Sequence, residues 1–180
     1  MANETVARRY ALAVFELAQE ARAVDAVGRD LHVLTDAIYE DAVSKSFFLS
    51  PVIDRKEKVR AFTAAFAGKT EDVALHTILL LVRKRREALL SEIVRQYDAL
   101  QLEARGEEPL TVTSARELSP AELRSLVERL ERLYEKRFSA TQTVQPDLIG
   151  GVRIMMGDRR IDGTVEGRLE ELTRTLFAKT

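Results

Sequence analysis

The chain has no cysteine, which excludes a disulfide framework, a thiolate metal site and a cysteine nucleophile. Two histidines are too few for a three-histidine zinc site, so only mixed, carboxylate-rich sites survive the count. Glycine and proline are sparse (8 and 4 of 180 residues), and 46% of the chain is hydrophobic, which excludes low-complexity and disordered classes. Neither sign of charge predominates: 28 Lys and Arg face 29 Asp and Glu, without the basic excess that wholesale binding to nucleic acid or anionic lipid demands. Long apolar runs are missing as well. The longest uncharged stretch is Val73 to Val82, ten residues, against the roughly 20 needed to span a bilayer. The first eighteen residues interleave charged and apolar positions, unlike a secretory signal, and carry Glu4 and Glu16, unlike an acid-poor transit peptide.

What is present divides in two. Residues 1–105 hold Gly28, Gly68 and Pro51 alone, whereas residues 106–180 hold six glycines and three prolines. The break at Arg105-Gly106-Glu107-Glu108-Pro109 reads as a linker. The first part reads as six helices. Residues 4–21 place Val6, Tyr10, Ala13, Val14, Leu17 and Ala21 at helical spacing, and Ala7, Ala11 and Ala18 add a neighbouring row. That apolar arc exceeds the roughly 100° stripe that one core requires, so the helix is expected to have a second packing partner. Helices follow over 25–41, 44–49 and 54–66, the last with Val59, Phe62, Ala65 and Phe66 inward. The fifth starts after Thr70 and is apolar all round, so it is buried on most sides or forms an interface. The sixth spans 87–104. Short links between them predict a bundle of antiparallel neighbours.

The second part changes period. Leu110 to Ser114 alternates as a strand. Ser119-Pro120-Ala121-Glu122 is a capping box with proline at the first helical position, opening a helix with Leu123, Leu126, Val127, Leu130, Leu133 and Tyr134 as its stripe. Strands follow over 139–144 and 149–156, the latter with Gly150-Gly151 as a bulge or close backbone approach. Gly157-Asp158 reads as a two-residue hairpin turn into Arg159-Arg160-Ile161. Val165, Leu169, Leu172 and Leu176 mark a last helix. The fold class is α+β, a six-helix bundle followed by a β-α-β-β-β-α domain. The first two strands are expected to be parallel and the last two antiparallel.

Candidate chemistry is thin. Arg83-Lys84-Arg85-Arg86, the one four-residue basic run, reads as a solvated helix end at the negative pole of the helix dipole rather than a nucleic-acid site. Gly150, Gly151 and Gly157 match no phosphate-loop spacing. His32 is expected to be exposed and His76 to be a hydrogen-bonded core residue; neither has an acid or nucleophile at a telling spacing. Asp147 and Asp162 read as turn residues rather than a metal pair, with Thr164 or Asp162 capping the last helix.

Two segments carry a resemblance. Val6-Ala7-Arg8-Arg9-Tyr10-Ala11 with Phe15-Glu16-Leu17-Ala18 resembles the N-terminal motif of the F-type ATP synthase delta subunits, called OSCP in mitochondria. Leu148-Ile149-Gly150-Gly151-Val152, Gly157-Asp158 and Ile161-Asp162-Gly163-Thr164-Val165-Glu166-Gly167-Arg168-Leu169 resemble that family's C-terminal signature. Thr164 stands where serine is usual and Glu166 where a basic residue is common. The resemblance covers the whole chain and implies a non-catalytic stator subunit without cofactor or metal. Residues 1–105 would bind N-terminal segments of alpha subunits on the catalytic head, with beta as a possible further contact. Residues 106–180 would bind the peripheral-stalk b subunits. It further implies a groove between the first and fifth helices, with Val6, Tyr10, Ala13, Val14 and Leu17 facing Leu75, Ile78, Leu79 and Val82, and Gly150, Gly151, Gly157, Asp162, Gly163 and Arg168 as signature positions. Nucleic acid is not an expected partner. The expected location is peripheral, on the cytoplasmic face of a bacterial inner membrane, with no insertion into the bilayer.

Overall fold

The computed structural model describes residues 2–169 and residue 174. The chain divides into two compact units, Met1–Gln101 and Leu102–Thr180.

The first unit is helical: α1 (Ala2–Glu20), α2 (Val24–Tyr39), α3 (Ala42–Leu49), α4 (Arg55–Phe66), α5 (Asp72–Lys84) and α6 (Leu90–Arg105), with a 3-10 turn at Glu87–Leu89 leading into α6. Aspartates start two of them. Asp41 accepts from the Ser44 N–H at 2.8 Å, and Asp54 accepts from the Lys56 N–H at 3.0 Å, satisfying first-turn donors. α5 packs against α1, α2 and α4, which accounts for an apolar circumference no single contact would need. Phe62 gathers Phe47, Phe48 and Phe66 at ring separations of 6.2, 5.3 and 6.3 Å, and Phe15 meets Tyr97 edge-on at 5.6 Å. Gly28 lets α2 and α6 approach: a Cβ there would lie 3.3 Å from the Tyr97 ring. The Tyr97 hydroxyl donates to the Val24 carbonyl at 2.9 Å, and burial, aided by the charges of Asp25 and Asp98, pushes that phenol up to about 12.

The inward positions expected of Ala65 and His76 are corrected. Ala65 is exposed, at the rim of a recess between α2, α3 and α4, rather than inward. His76 is exposed, because it lies on the one side of α5 that no neighbouring helix covers. The hydropathy pattern also gives no sign of Lys58, which is only 2% exposed. Its ammonium donates to the Phe48 carbonyl at 2.6 Å and to Glu87 at 3.0 Å, tying the end of α3 and the 3-10 turn to α4. Burying an ammonium is tolerable only with partners of this kind.

The second unit holds a four-stranded sheet in the order β2-β1-β3-β4 and one long helix, α7 (Pro120–Tyr134). The strands are β1 (Glu107–Ser114), β2 (Arg137–Val144), β3 (Val152–Met156) and β4 (Arg159–Asp162). β1 and β2 pair in parallel, with α7 as their crossover, and β3 runs antiparallel to both β1 and β4. Residues 107–109 are strand, not linker, with Pro109 opposite Ser139. Pairing of β1 with β3 begins only at Leu110 opposite Met156, so at Pro109 that side of β1 carries no ladder for the missing N–H to break. Only Gly106, at φ +66, separates α6 from β1. Leu110, Val112, Phe138, Ile154 and Met156 form the core with Leu130 of α7. Leu133, expected in the α7 stripe, is exposed. The capping box at Ser119 is present, and Arg116 and Ser119 together hold the Glu122 carboxyl down to about 2. Residues 165–169 are helical, and Leu172 and Leu176 lie outside the described residues.

Candidate partner-binding faces

In the first unit, α1 carries two rows. Ala7, Ala11, Val14, Phe15 and Ala18 enter the core. Val6, Tyr10, Ala13 and Leu17, at i, i+4, i+7 and i+11, form a neighbouring row that the bundle leaves accessible. Val6 and Tyr10 are half-buried, Ala13 is exposed and Leu17 is 53% exposed. Arg86, just beyond α5, stacks over the Tyr10 ring with its guanidinium carbon 5.7 Å from the centroid, within cation–π range. On α5, Leu75 and Leu79 retain 6% exposure and Val14 of α1 retains 5%. Ile78 and Val82 are at 0%. These two therefore lie beneath the surface as core, because α5 spends its apolar circumference on α1, α2 and α4. His76 and Leu80, the latter 39% exposed, are accessible on α5 beside the charged Asp72, Arg83 and Lys84 and are missing from the expected set. The signal for them was rotational position on the α5 wheel, which hydrophobicity alone does not resolve on an all-apolar helix.

In the second unit, the signature residues build one corner. One Asp162 oxygen accepts from the Thr164 hydroxyl at 2.6 Å and the Thr164 N–H at 3.1 Å. The other accepts from Arg153 at 3.1 Å and Arg160 at 2.8 Å. These bonds hold the carboxyl well below the usual range, with the Thr164 hydroxyl the largest cause and Arg160 next. Thr164 Oγ1 in turn accepts from the Gly167 N–H at 3.0 Å, capping the helical residues that follow. The Gly163 N–H donates to the Val152 carbonyl at 2.9 Å, and the Val165 N–H to the Gly150 carbonyl at 3.0 Å. Gly151 has φ +86, and a Cβ on it would lie 2.4 Å from the Gly163 carbonyl oxygen. Of the two roles expected for Gly150-Gly151, the close backbone approach is the one observed, since β3 begins only at Val152. Gly157, at φ +54, opens the turn between Met156 and Arg159. Arg168 is exposed on the helical segment. With both oxygens engaged by donors, Asp162 is a structural bracket.

The model of the family described as the ATP synthase delta (OSCP) subunit matches residues 6–176. The chain belongs to the ATP synthase delta (OSCP) subunit family. Its relatives include the ATP synthase subunit delta of Lysinibacillus sphaericus, 36% identical over 98% of this chain and 99% of that one. Those of Methylobacillus flagellatus (35%, covering 96% of each chain) and Symbiobacterium thermophilum (34%, covering 99% and 96%) are similar over the same extent. A chain in the cryo-EM structure of the Toxoplasma gondii mitochondrial ATP synthase hexamer shares the fold, with a TM-score of 0.71 at 18% identity over 95% of this chain and 97% of that chain. Both delta-family segments thus have a physical basis here. The N-terminal segment supplies the core row and the accessible row of α1, and the C-terminal one supplies the Asp162 corner. No helix among the described residues is long and apolar enough to cross a membrane.

Proposed function

We propose that this chain is a non-catalytic stator subunit that joins the alpha/beta head of an F-type ATP synthase to the b subunits of its peripheral stalk. The observation that supports it most is the division into two units, each with its own core, within a chain that matches the delta family along nearly its whole length. The helical unit takes the head. An amphipathic N-terminal helix of an alpha subunit lies along Val6, Tyr10, Ala13 and Leu17 of α1, over the nearly buried Val14, Leu75 and Leu79. Ile78 and Val82 support this face without touching the ligand. The sheet unit, braced at Asp162, takes the b subunits. The complex holds the chain at the cytoplasmic face of the membrane.

Ala13→Trp tests the head contact. Ala13 is exposed, so a large side chain fits the free chain but stands where the partner helix must approach. The expected result is an unchanged far-UV circular dichroism spectrum with head affinity weakened about tenfold or more, roughly 1.4 kcal/mol. Wild-type affinity in the folded variant would place the head contact elsewhere.

A further inference from the structure

Cations gather at one end of the helical unit. Arg83 to Arg86 close α5, and Arg55, Lys56 and Arg60 lie at and just beyond the start of α4; all seven are exposed. Arg55 joins the two sets, because its Nη1 donates to the Arg83 carbonyl at 3.2 Å. Lys56, Arg60 and Arg83 surround one recess of about 430 Å³ beside Val59. Arg85 borders a second, of about 330 Å³, and Arg55 lines both. Two carboxylates share this end, Asp54 in the wall of the first recess and the exposed Glu57 in the first turn of α4, and the seven cations outnumber them. Glu87 is held by Lys58. Among the described residues Lys56, Arg60, Arg83, Lys84 and Arg85 form no ion pair, whereas Arg95, Arg116, Arg153 and Arg160 each hold a carboxylate. Residues 1–105 carry 16 basic and 16 acidic side chains, so the cluster is a local asymmetry on a balanced unit. Arg85 also occupies a left-handed position, φ 54, that glycine takes without strain.

We propose that this patch docks an acidic segment of a catalytic-head subunit, beside the helix received by the α1 row. Clustered like charges repel one another, and an anionic partner relieves that repulsion while gaining bidentate arginine contacts. The recesses have apolar walls, Val59 in one and Leu49 and Ile53 in the other, and no aromatic stacking platform for bases, which favours a protein segment over nucleic acid. Arg86 lies over Tyr10, so the patch is continuous with the accessible row of α1. The proposal rests on the head-binding reading of that row.

The test titrates the full-length chain against the isolated alpha/beta head from about 50 to about 300 mM salt, a range over which exposed charges become screened. Wild type is expected to weaken at least about tenfold across it. The surface variant Lys56→Glu/Arg60→Glu/Arg83→Glu should bind at least about tenfold more weakly at low salt, with a flattened salt dependence. Leu17→Ala, which removes apolar contact without adding charge, should bind more weakly while keeping the wild-type salt slope. If the triple variant binds with wild-type affinity and slope, the patch proposal is overturned and the α1 reading stands. If Leu17→Ala has no effect while the triple variant weakens, the α1 reading fails and the patch remains. Should the triple variant misfold, Arg60→Glu alone must flatten the slope. Absence of wild-type binding at any salt overturns both. Binding to an oligonucleotide or to phosphatidylserine vesicles that the triple variant abolishes without changing head affinity overturns the patch proposal alone.

Discussion

Single residues in the sheet unit have sharply different tolerances. Gly151 combines φ +86 with a backbone oxygen 2.4 Å from where a Cβ would stand, so neither rotation nor side-chain movement relieves a substitution. Gly151→Ala is expected to cost about 2–4 kcal/mol. Hydrogen exchange localises the loss: protection should fall across residues 107–162 and stay unchanged in α1 to α5. Asp162 gives a pH-dependent counterpart. Its carboxyl is held below the ordinary aspartate value, so the unfolded chain takes up the proton first on acidification. The stability it contributes is intact above the unfolded value near pH 4 and is lost as pH falls from there toward the lower folded value. Asp162→Asn should therefore lower the stability of the sheet unit at neutral pH and flatten its decline below about pH 4. Parallel acid-denaturation profiles for the two proteins would count against the bracket role. Lys58 marks the limit of sequence reading at this scale. Its burial depends on Phe48 and Glu87, ten and 29 positions away, and nothing local announces it.

At the scale of elements, α5 and α1 make opposite predictions. Ile78 is at 0% exposure, and Ile78→Ala should destabilise the helical unit by about 2–4 kcal/mol while the folded fraction binds the head normally. Leu17→Ala, on a half-exposed side chain, should leave the denaturation midpoint nearly unchanged and weaken head binding. Calorimetry paired with a head-binding titration separates the two effects, and a reversal of the pattern would mean that the face has been assigned to the wrong side of the bundle. Element existence was legible because the 3.6-residue and two-residue periods are local properties. Six helices, the α7 capping box and the β3–β4 hairpin all follow from neighbours in sequence. The rotation of α5 was not legible, since an all-apolar circumference has no preferred side until α1, α2 and α4 surround it. The start of β1 was missed for a related reason: Glu107 to Pro109 carry turn-like residues, and they become strand through pairing with β2 thirty residues on.

At the scale of the whole molecule, a stator subunit must hold two partners at once, and the chain provides two separately cored units for it. The family match along residues 6–176 fixes what kind of protein this is; the simultaneous grip on head and stalk is the claim that makes it a stator. A co-sedimentation experiment tests that claim most directly. The isolated alpha/beta head is mixed with the soluble part of b, with and without the full-length chain. The expected result is that b pellets with the head only when the chain is present, and that Ala13→Trp raises the chain concentration this needs about tenfold or more while leaving binding of the chain to b intact. Sedimentation of b that is independent of the chain, or displacement of the head from the chain by b, would contradict it.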